Sequence, residues 1–433
     1  MVFDSEHEID KDETLIRNLE ENKNNLNNIY LSKKNLEKIN LSSGKLNNIN
    51  FEKANLTEAN FDKATVSNSN FNQSELFSAN FSGSTFDNCS FKTTYNMSMG
   101  GVTFINCNFD DTNSFTSYQI YNTTFKNSKI ENISVDRSFW DHFNFEKSIL
   151  NNINFENVLI VCNFNEGSFT GSNIRYSQIF HCNFFKEKLY FNNFFLTEIT
   201  ECDFSKCDLT STDFNVCYFK TVTFTDCNLS KCMFANCQFL DVKFINCNLS
   251  KTTFYHCKVD KTNYDNCNFS DSFLKNCTFT KALFLDVILQ NSKIYYTDMV
   301  QSKFETTNLS NTRIALSKLL DTKFDKCILT TANIGYTSIE NVLFLENNVK
   351  GLVVSYSDLT KTVFDKCTYL ADTNFINVNN MSQTLEESIK NAKEARGAAG
   401  NTSNLNNTNN TTKKYGGLRR KKLNKTKQNK KLI

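Results

Sequence analysis

Proline is absent from all 433 residues, and glycine is scarce at 12. A chain without proline keeps every backbone N–H, so nothing in it interrupts a long hydrogen-bond ladder; a low-GC coding bias, suggested by abundant Asn, Lys and Ile, explains the same absence equally well. No run of 18 apolar residues occurs, which argues against a membrane-spanning helix. The opening MVFDSEHEIDKDE has no apolar stretch of the secretory kind, so an intracellular protein, cytoplasmic or nuclear and without a membrane partner, is expected. A dominant charge is missing as well, the formal net charge being +2. Residues 1–25 carry eight acids against three bases, residues 412–433 carry ten bases and no acid, and 38 acids face 35 bases in between. The body of the chain is therefore neither an acidic nor a basic surface.

What is abundant is phenylalanine, at 41, and cysteine, at 16. From Phe164 every fifth residue to Tyr369 is Phe, Leu, Ile, Val, Met or Tyr, 42 positions in a row in a chain that is 39% hydrophobic. The same step runs from Leu26 to Phe91 in another frame, and less cleanly from Phe115 to Ile160. Helices repeat near 3.6 residues and strands near 2, so a period of five requires a chain that turns regularly. Sorting by twenty shows how often: Phe164, Phe184, Phe204, Phe224 and Phe244 begin a wholly aromatic column that ends at Phe364, and Leu189, Leu209 and Leu229 belong to a column that is mostly Leu. Residue types that recur every twenty imply stacked coils of four pentads each, a square solenoid.

Units such as ANLTE (54–58), ANFDK (59–63), CDLTS (207–211) and CNLSK (247–251) resemble the pentapeptide-repeat family, whose consensus is a small residue, Asp or Asn, a central Leu or Phe, a small polar residue and a variable one. The resemblance covers residues 26–375. It implies an all-β fold, a right-handed quadrilateral parallel β-helix in which the central residue and the residue two before it point inward. Coils stacked at the inter-strand spacing would make a rod on the order of 80 Å long.

Every one of the sixteen cysteines lies two residues before a central apolar residue, in a slot otherwise filled by Ser, Thr, Ala or Val. The triplet CNLSKCMFANCQF (227–239) invites a zinc reading, but Cys227, Cys232 and Cys237 fall on three different walls of one coil and converge poorly. Cysteines twenty apart are close enough for a disulfide by Cα distance, against which stand their parallel side chains and a reducing compartment. The slot selects small inward residues, and free cysteine packs as a small hydrophobe.

The frame slips between Phe91 and Phe104, between Phe109 and Phe115, and from Ile160 to Phe164. In residues 92–163 large residues such as Ile133, Phe143 and Ile153 occupy the small slot, so a distorted or looped solenoid is expected there. The domain reading is an acidic segment at 1–25, the β-helix at 26–375, a short C-terminal capping helix at 376–396, and a flexible linker and basic tail at 397–433. In SQTLEESIKNAKEA, Thr384 and Glu387 can form a capping box, with Leu385, Ile389 and Ala392 on one face. Arg419, Arg420, Lys421 and Lys422 head the tail, read either as a contact for nucleic acid, an acidic partner or an import receptor, or as a solubilising arm.

No catalytic residue, metal ligand or cofactor is expected. His181-Cys182 and His256-Cys257 look catalytic as pairs, but one member should face out and the other in. What is left is surface. Phe180, Phe185, Tyr190, Phe191, Phe195 and Leu196 all fall at outward positions of one stretch, and Tyr296, Leu316, Tyr336 and Tyr356 form an outward file at steps of twenty. Either these are protein interfaces, or a local bulge or covering loop buries them. The leading expectation is a non-catalytic structural or scaffolding rod that binds protein partners, self-association included; a large assembly such as a virion would suit it. The alternatives are tethering to nucleic acid through the tail, and the property the resemblance brings from some family members, a likeness to duplex DNA that binds type II topoisomerases.

Overall fold

The structure, a computed structural model, describes residues 13–94, 100–110 and 120–403. Along the winding, nearly every pentad holds a short extended segment and then a residue in the left-handed region. At the non-glycine corners from Asn28 to Lys366 these residues have φ between 48° and 62°. That residue turns the chain through one corner, and four corners close a coil. Coils stack in parallel register, Phe204 on Phe224 and Phe224 on Phe244, each pairing joining residues twenty apart.

The result is a four-walled parallel β-solenoid of about 17 turns followed by a helix. Among the described residues the strands form parallel sheets of 28, 13 and 4 strands. The largest takes in two adjoining walls and the second makes a third wall. The fourth wall, the one with the Leu column, is held by the small sheet in the middle and by single bridges beyond it, such as Lys188 to Asp208 to Asn228.

The frame slips do not break the rod. Phe86 pairs with Phe104, Phe104 with Phe125, Phe125 with Phe145 and Phe145 with Phe164, so coils of unequal length still align their walls. Among the described residues the difference is absorbed at a corner. In the strand Phe139–Glu146 the pairing passes from Asp141 to Phe143, leaving His142 as the extra corner residue. Large slot residues are accommodated inside: Phe143 lies flat against Trp140, with ring centroids 4.8 Å apart, and both are buried.

Because the walls stay aligned, one column of fifteen stacked rings runs from Phe86 to Phe364. Successive centroids lie 4.3 to 5.4 Å apart with planes within 22°. Burying each ring contributes about 1.5 to 3 kcal/mol before ordering entropy is deducted. Tyr264 is the one hydroxylated member of this column; it is fully buried and its hydroxyl finds no hydrogen-bond partner.

Both ends are covered. Helix α1, Glu13–Glu21, buries Ile16 and Leu19 on the first coil, and Glu20 accepts a hydrogen bond from the Asn40 amide at 2.7 Å. Helix α2, Gln383–Ser403, buries Leu385 and packs Ile389 and Ala392 on the last coil. Its cap is Ser382, whose hydroxyl accepts from the Leu385 amide at 3.2 Å; it stands two residues before the expected Thr384, because Ser382 is where the chain leaves the final coil. Ends covered in this way do not present open strand edges to other chains. Among the described residues no helix is long and apolar enough to cross a membrane.

The unpaired phenol gives a direct test of the ring column. Tyr264→Phe removes a buried hydroxyl that makes no hydrogen bond, and is expected to stabilise the protein by about 1 to 3 kcal/mol in urea unfolding. Phe284→Ala, one coil further, is expected to cost about 3 to 5 kcal/mol.

Candidate interaction surfaces

The interior slot has a chemical preference as well as a size limit. Its side chains donate to the main-chain carbonyl of a central residue in the coil below: Cys207 to Phe184 at 3.2 Å, Cys232 to Leu209 at 3.0 Å, Ser272 to Leu249 at 2.9 Å and Thr307 to Phe284 at 3.0 Å. Small residues with a hydrogen to donate therefore fit best, and cysteine is one of them. Fifteen of the sixteen thiols are buried, Cys367 in the last coil is partly exposed, and all are free. Burial pushes Cys232 and Cys327 up to about 12 and Cys367 to about 11, which keeps them as neutral thiols. Cys227, Cys232 and Cys237 donate to three different carbonyls on successive walls. Among the described residues no three His, Cys, Asp or Glu side chains are grouped to hold a metal ion.

His142, His181 and His256 occupy exposed corners. His181 lies 3.2 Å from a Glu201 oxygen and His256 lies 3.1 Å from the Asn276 amide, whereas Cys182 and Cys257 point into the core. Each imidazole and its neighbouring thiol are thus on opposite sides of the backbone. Open grooves occur on one wall, about 370 Å³ beside Tyr218, Leu240 and Lys258, and between the last coil and α2, about 680 Å³ beside Lys350, Asp372 and Arg396.

One polar slot residue reverses the donor pattern. Glu187 is 3% exposed, and its carboxyl accepts from the Gly167 amide at 2.8 Å. Gly167 fills the equivalent slot one coil below, where a Cβ would stand 2.3 Å from the Ser148 carbonyl oxygen; its missing side chain leaves the room that the longer glutamate uses. An ionised carboxylate can only accept, in a slot whose other polar occupants, such as Cys207, Ser272 and Thr307, donate to carbonyls. Burial, partly offset by the Gly167 hydrogen bond, raises its pKa to about 7.

On the outside, the sequence stretch 180–196 separates. Phe180, Phe185, Tyr190 and Phe195 are five apart and so lie on four successive walls, stacked on Thr200, Ser205, the coil of Asp208 and Asn215 respectively. All four are half-buried. Lys186 and Lys206 lie over the Phe185 ring at 5.0 and 5.9 Å. The stretch is a girdle around the rod, not one patch, because a period of five distributes neighbours in sequence over different faces. Phe191 and Leu196 stand exposed at the two corners that bound the wall of Phe195.

The file at steps of twenty is brought together. Tyr296, Leu316, Tyr336 and Tyr356 rise up one corner, each 47% to 60% exposed, and the last two rings stack at 4.7 Å. The same corner carries Tyr176, Leu196 and Val216 nearer the N-terminus, likewise exposed. Sequence reasoning missed Tyr176 and Val216, although stepping by twenty from Leu196 reaches Val216 and one step back reaches Tyr176. Among the described residues nine Tyr, Phe, Leu or Val residues have positive φ, and seven of them are on this corner. The left-handed conformation costs an L-residue roughly 1 to 2 kcal/mol and is least suited to a β-branched one such as Val216. The other three corners share that backbone and are filled mainly by Asn, Lys, Asp, Ser and Thr. The tail residues Arg419, Arg420, Lys421 and Lys422 lie outside the described residues.

Two family models match the chain: the pentapeptide repeat region over residues 237–314, and pentapeptide repeats (8 copies) over 35–73 and 54–92. Among curated proteins none matches. The solved structures similar to it include HetL, a pentapeptide repeat protein involved in heterocyst differentiation regulation from the cyanobacterium Nostoc sp. strain PCC 7120, at 14% identity over 46% of this chain and 87% of that one, TM-score 0.41. QnrB1, a plasmid-mediated fluoroquinolone resistance protein, is 15% identical over 56% of this chain and 96% of its own, TM-score 0.17. A pentapeptide repeat protein from the Arabidopsis thaliana thylakoid lumen is 18% identical over 27% of this chain and 67% of its own, TM-score 0.17.

Two measurements check the interior chemistry. Thiol labelling without denaturant is expected to modify Cys367 first and the rest slowly, and to reach all sixteen on unfolding; rapid native labelling of many thiols would contradict the burial. For Glu187 the folded pKa lies above the unfolded one, so its contribution is complete at pH 4 and is lost as the pH rises through about 7, a loss of about 3 kcal/mol. Glu187→Gln should remove that loss, leaving the variant more stable than the native chain at pH 8 and not at pH 4.

Proposed function

Since the chain is a pentapeptide-repeat protein with a packed interior and a corner of exposed apolar side chains, we propose that it is a non-catalytic structural rod, a scaffold that holds partner proteins along its length. The observation that carries this reading is the placing of seven bulky apolar residues on one corner, in a conformation that disfavours them and in contact with water. Folding does not require them there, because polar residues serve the same turn on the other three corners. An interface does require them, and a rigid edge presents them at fixed spacing with little ordering cost on binding. A large assembly such as a virion is the kind of setting that uses a spacer of this length.

Likeness to duplex DNA is the weaker reading, since that role needs a continuous negative stripe. The corner that begins at Glu166 continues as Lys186, Lys206 and Asp226, and the next as Lys231, Lys251 and Asp271. Opposite charges on adjacent coils neutralise each other, as Lys186 and Glu166 do at 2.8 Å.

Affinity capture of the full chain from its native source tests the scaffold reading. A reproducible, stoichiometric protein partner is expected, with capture reduced at least tenfold by Leu316→Ser combined with Tyr336→Ser and little changed by removing residues 412–433. A chain that stays monomeric and captures nothing would overturn it.

A further inference from the structure

The apolar corner has an internal order. Read along the rod from residue 176 in steps of twenty it is Tyr176, Leu196, Val216, Asn236, His256, Asn276, Tyr296, Leu316, Tyr336. Each of the first eight is tied to the next coil by an amide hydrogen bond, from Tyr176 to Phe195 at 3.0 Å through to Leu316 to Gly335 at 3.1 Å. About His256 these nine rungs are almost the same in both directions: Tyr176 matches Tyr336, Leu196 matches Leu316 and Asn236 matches Asn276, while Val216 falls against Tyr296; one coil further out the likeness ends, with Asn157 opposite Tyr356. Turned over by a two-fold axis at His256, a second copy sets apolar rungs against apolar rungs, Tyr176 to Tyr336, Leu196 to Leu316 and Val216 to Tyr296, so the same patch serves both chains as an isologous contact requires.

We propose that this corner binds a second copy of the chain, the two rods lying antiparallel with the two-fold axis at the rung of His256. The inference rests on the scaffold reading and names its partner. A two-fold lying in the contact plane and perpendicular to the file places like walls side by side, so the two columns flanking the corner must also match when reversed. On one flank Phe195, Asn215, Ala235, Tyr255, Lys275, Tyr295, Ala315 and Gly335 stack in register. Reversal about Tyr255 sets Phe195 against Ala315, Tyr295 against Asn215, Lys275 against Ala235 and Arg175 against Gly335. Away from the axis large residues meet smaller ones, with Ala235, Ala315 and Gly335 recessed to the point of burial in the single chain, and on the axis the exposed Tyr255 ring meets its own counterpart.

The other flank stacks as Glu198, Tyr218, Gln238, Lys258, Thr278, Asp298 and Lys318. Reversal about Lys258 brings Glu198 to Lys318 and the Tyr218 hydroxyl to Asp298, each twice per dimer. Lys258 meets its own counterpart there; it is exposed at the rim, where long side chains can diverge. The nine rungs span about 38 Å. At a width of about 10 Å the strip is roughly 400 Å² in plan, about half the 800 Å² per partner of a standard interface, so a dimer of modest affinity is expected. Within one chain Glu198 and Lys318 are six coils, roughly 29 Å, apart, so any coupling between them must be between copies.

Sedimentation equilibrium of the full chain is expected to show a dimer at micromolar protein. Glu198→Lys alone and Lys318→Glu alone should each weaken it on the order of a hundredfold, since each puts two like-charged pairs into the interface. An equimolar mixture of the two single variants, or one chain carrying both changes, should restore dimerisation. Leu196→Asp with Leu316→Asp should give a monomer whose far-ultraviolet circular-dichroism spectrum matches the native one. A native chain that is monomeric at high micromolar concentration, or charge variants that the mixture does not rescue, would overturn the proposal. If such a monomer still captures another protein through this corner, the second copy is wrong and the scaffold reading stands; if it captures nothing, both fall.

Discussion

The spacing between coils is the constraint on which the rest depends. A parallel ladder fixes successive coils about 4.8 Å apart, and aromatic rings stack comfortably at that distance. The pairing of Phe204 with Phe224 and Phe224 with Phe244 and the ring separation of 4.8 Å are two expressions of one geometry. Neither is stable alone, since a single coil cannot bury its own plug and has no neighbour for its amides. This is why both ends are closed by helices, and why an uneven stretch such as 139–164 changes the number of residues at a corner before it changes the alignment of a wall.

A filled interior transfers all variation to the surface. The central position admits only residues that plug a wall, and the slot beside it admits mostly small donors or small apolar residues, larger ones such as Phe143 in the irregular coils and, at Glu187, a longer acid where Gly167 leaves space. Chemistry that needs a cavity with convergent polar groups has little room between these layers. Outward positions are nearly unconstrained by folding, so a departure from the polar residues usual at a corner carries information. The corner of Tyr176 to Tyr356 departs furthest, against both conformation and solvation.

Much of this was legible in the sequence because the period is in the chain itself. Five residues per wall and four walls per coil follow from the run at Phe164, and the small slot follows from the positions of the cysteines. The frame slips were legible as well, but not their outcome. Whether Phe104 would align under Phe125 depends on how corners absorb residues, and that is decided by packing rather than by pattern. The stretch 180–196 shows the opposite failure: six apolar residues adjacent in sequence suggest one patch, and the winding puts them on four faces. The file from Tyr296 was legible because it was read at the spatial period of twenty, whereas Tyr176 and Val216 were missed because that period was not followed back along the same corner.

By itself the sequence determined the coil, its four sides, its aromatic column and the inward place of every thiol, because each is a repeat and a repeat is a local rule applied many times. Tertiary structure alone decided that the column passes unbroken through the irregular coils, that Ser382 and Glu20 help close the ends, that Glu187 uses the space left by Gly167, and that seven exposed apolar residues share one edge. Those features join residues through stacking and corner geometry, where the distance that matters is one coil along the rod and not one step along the chain.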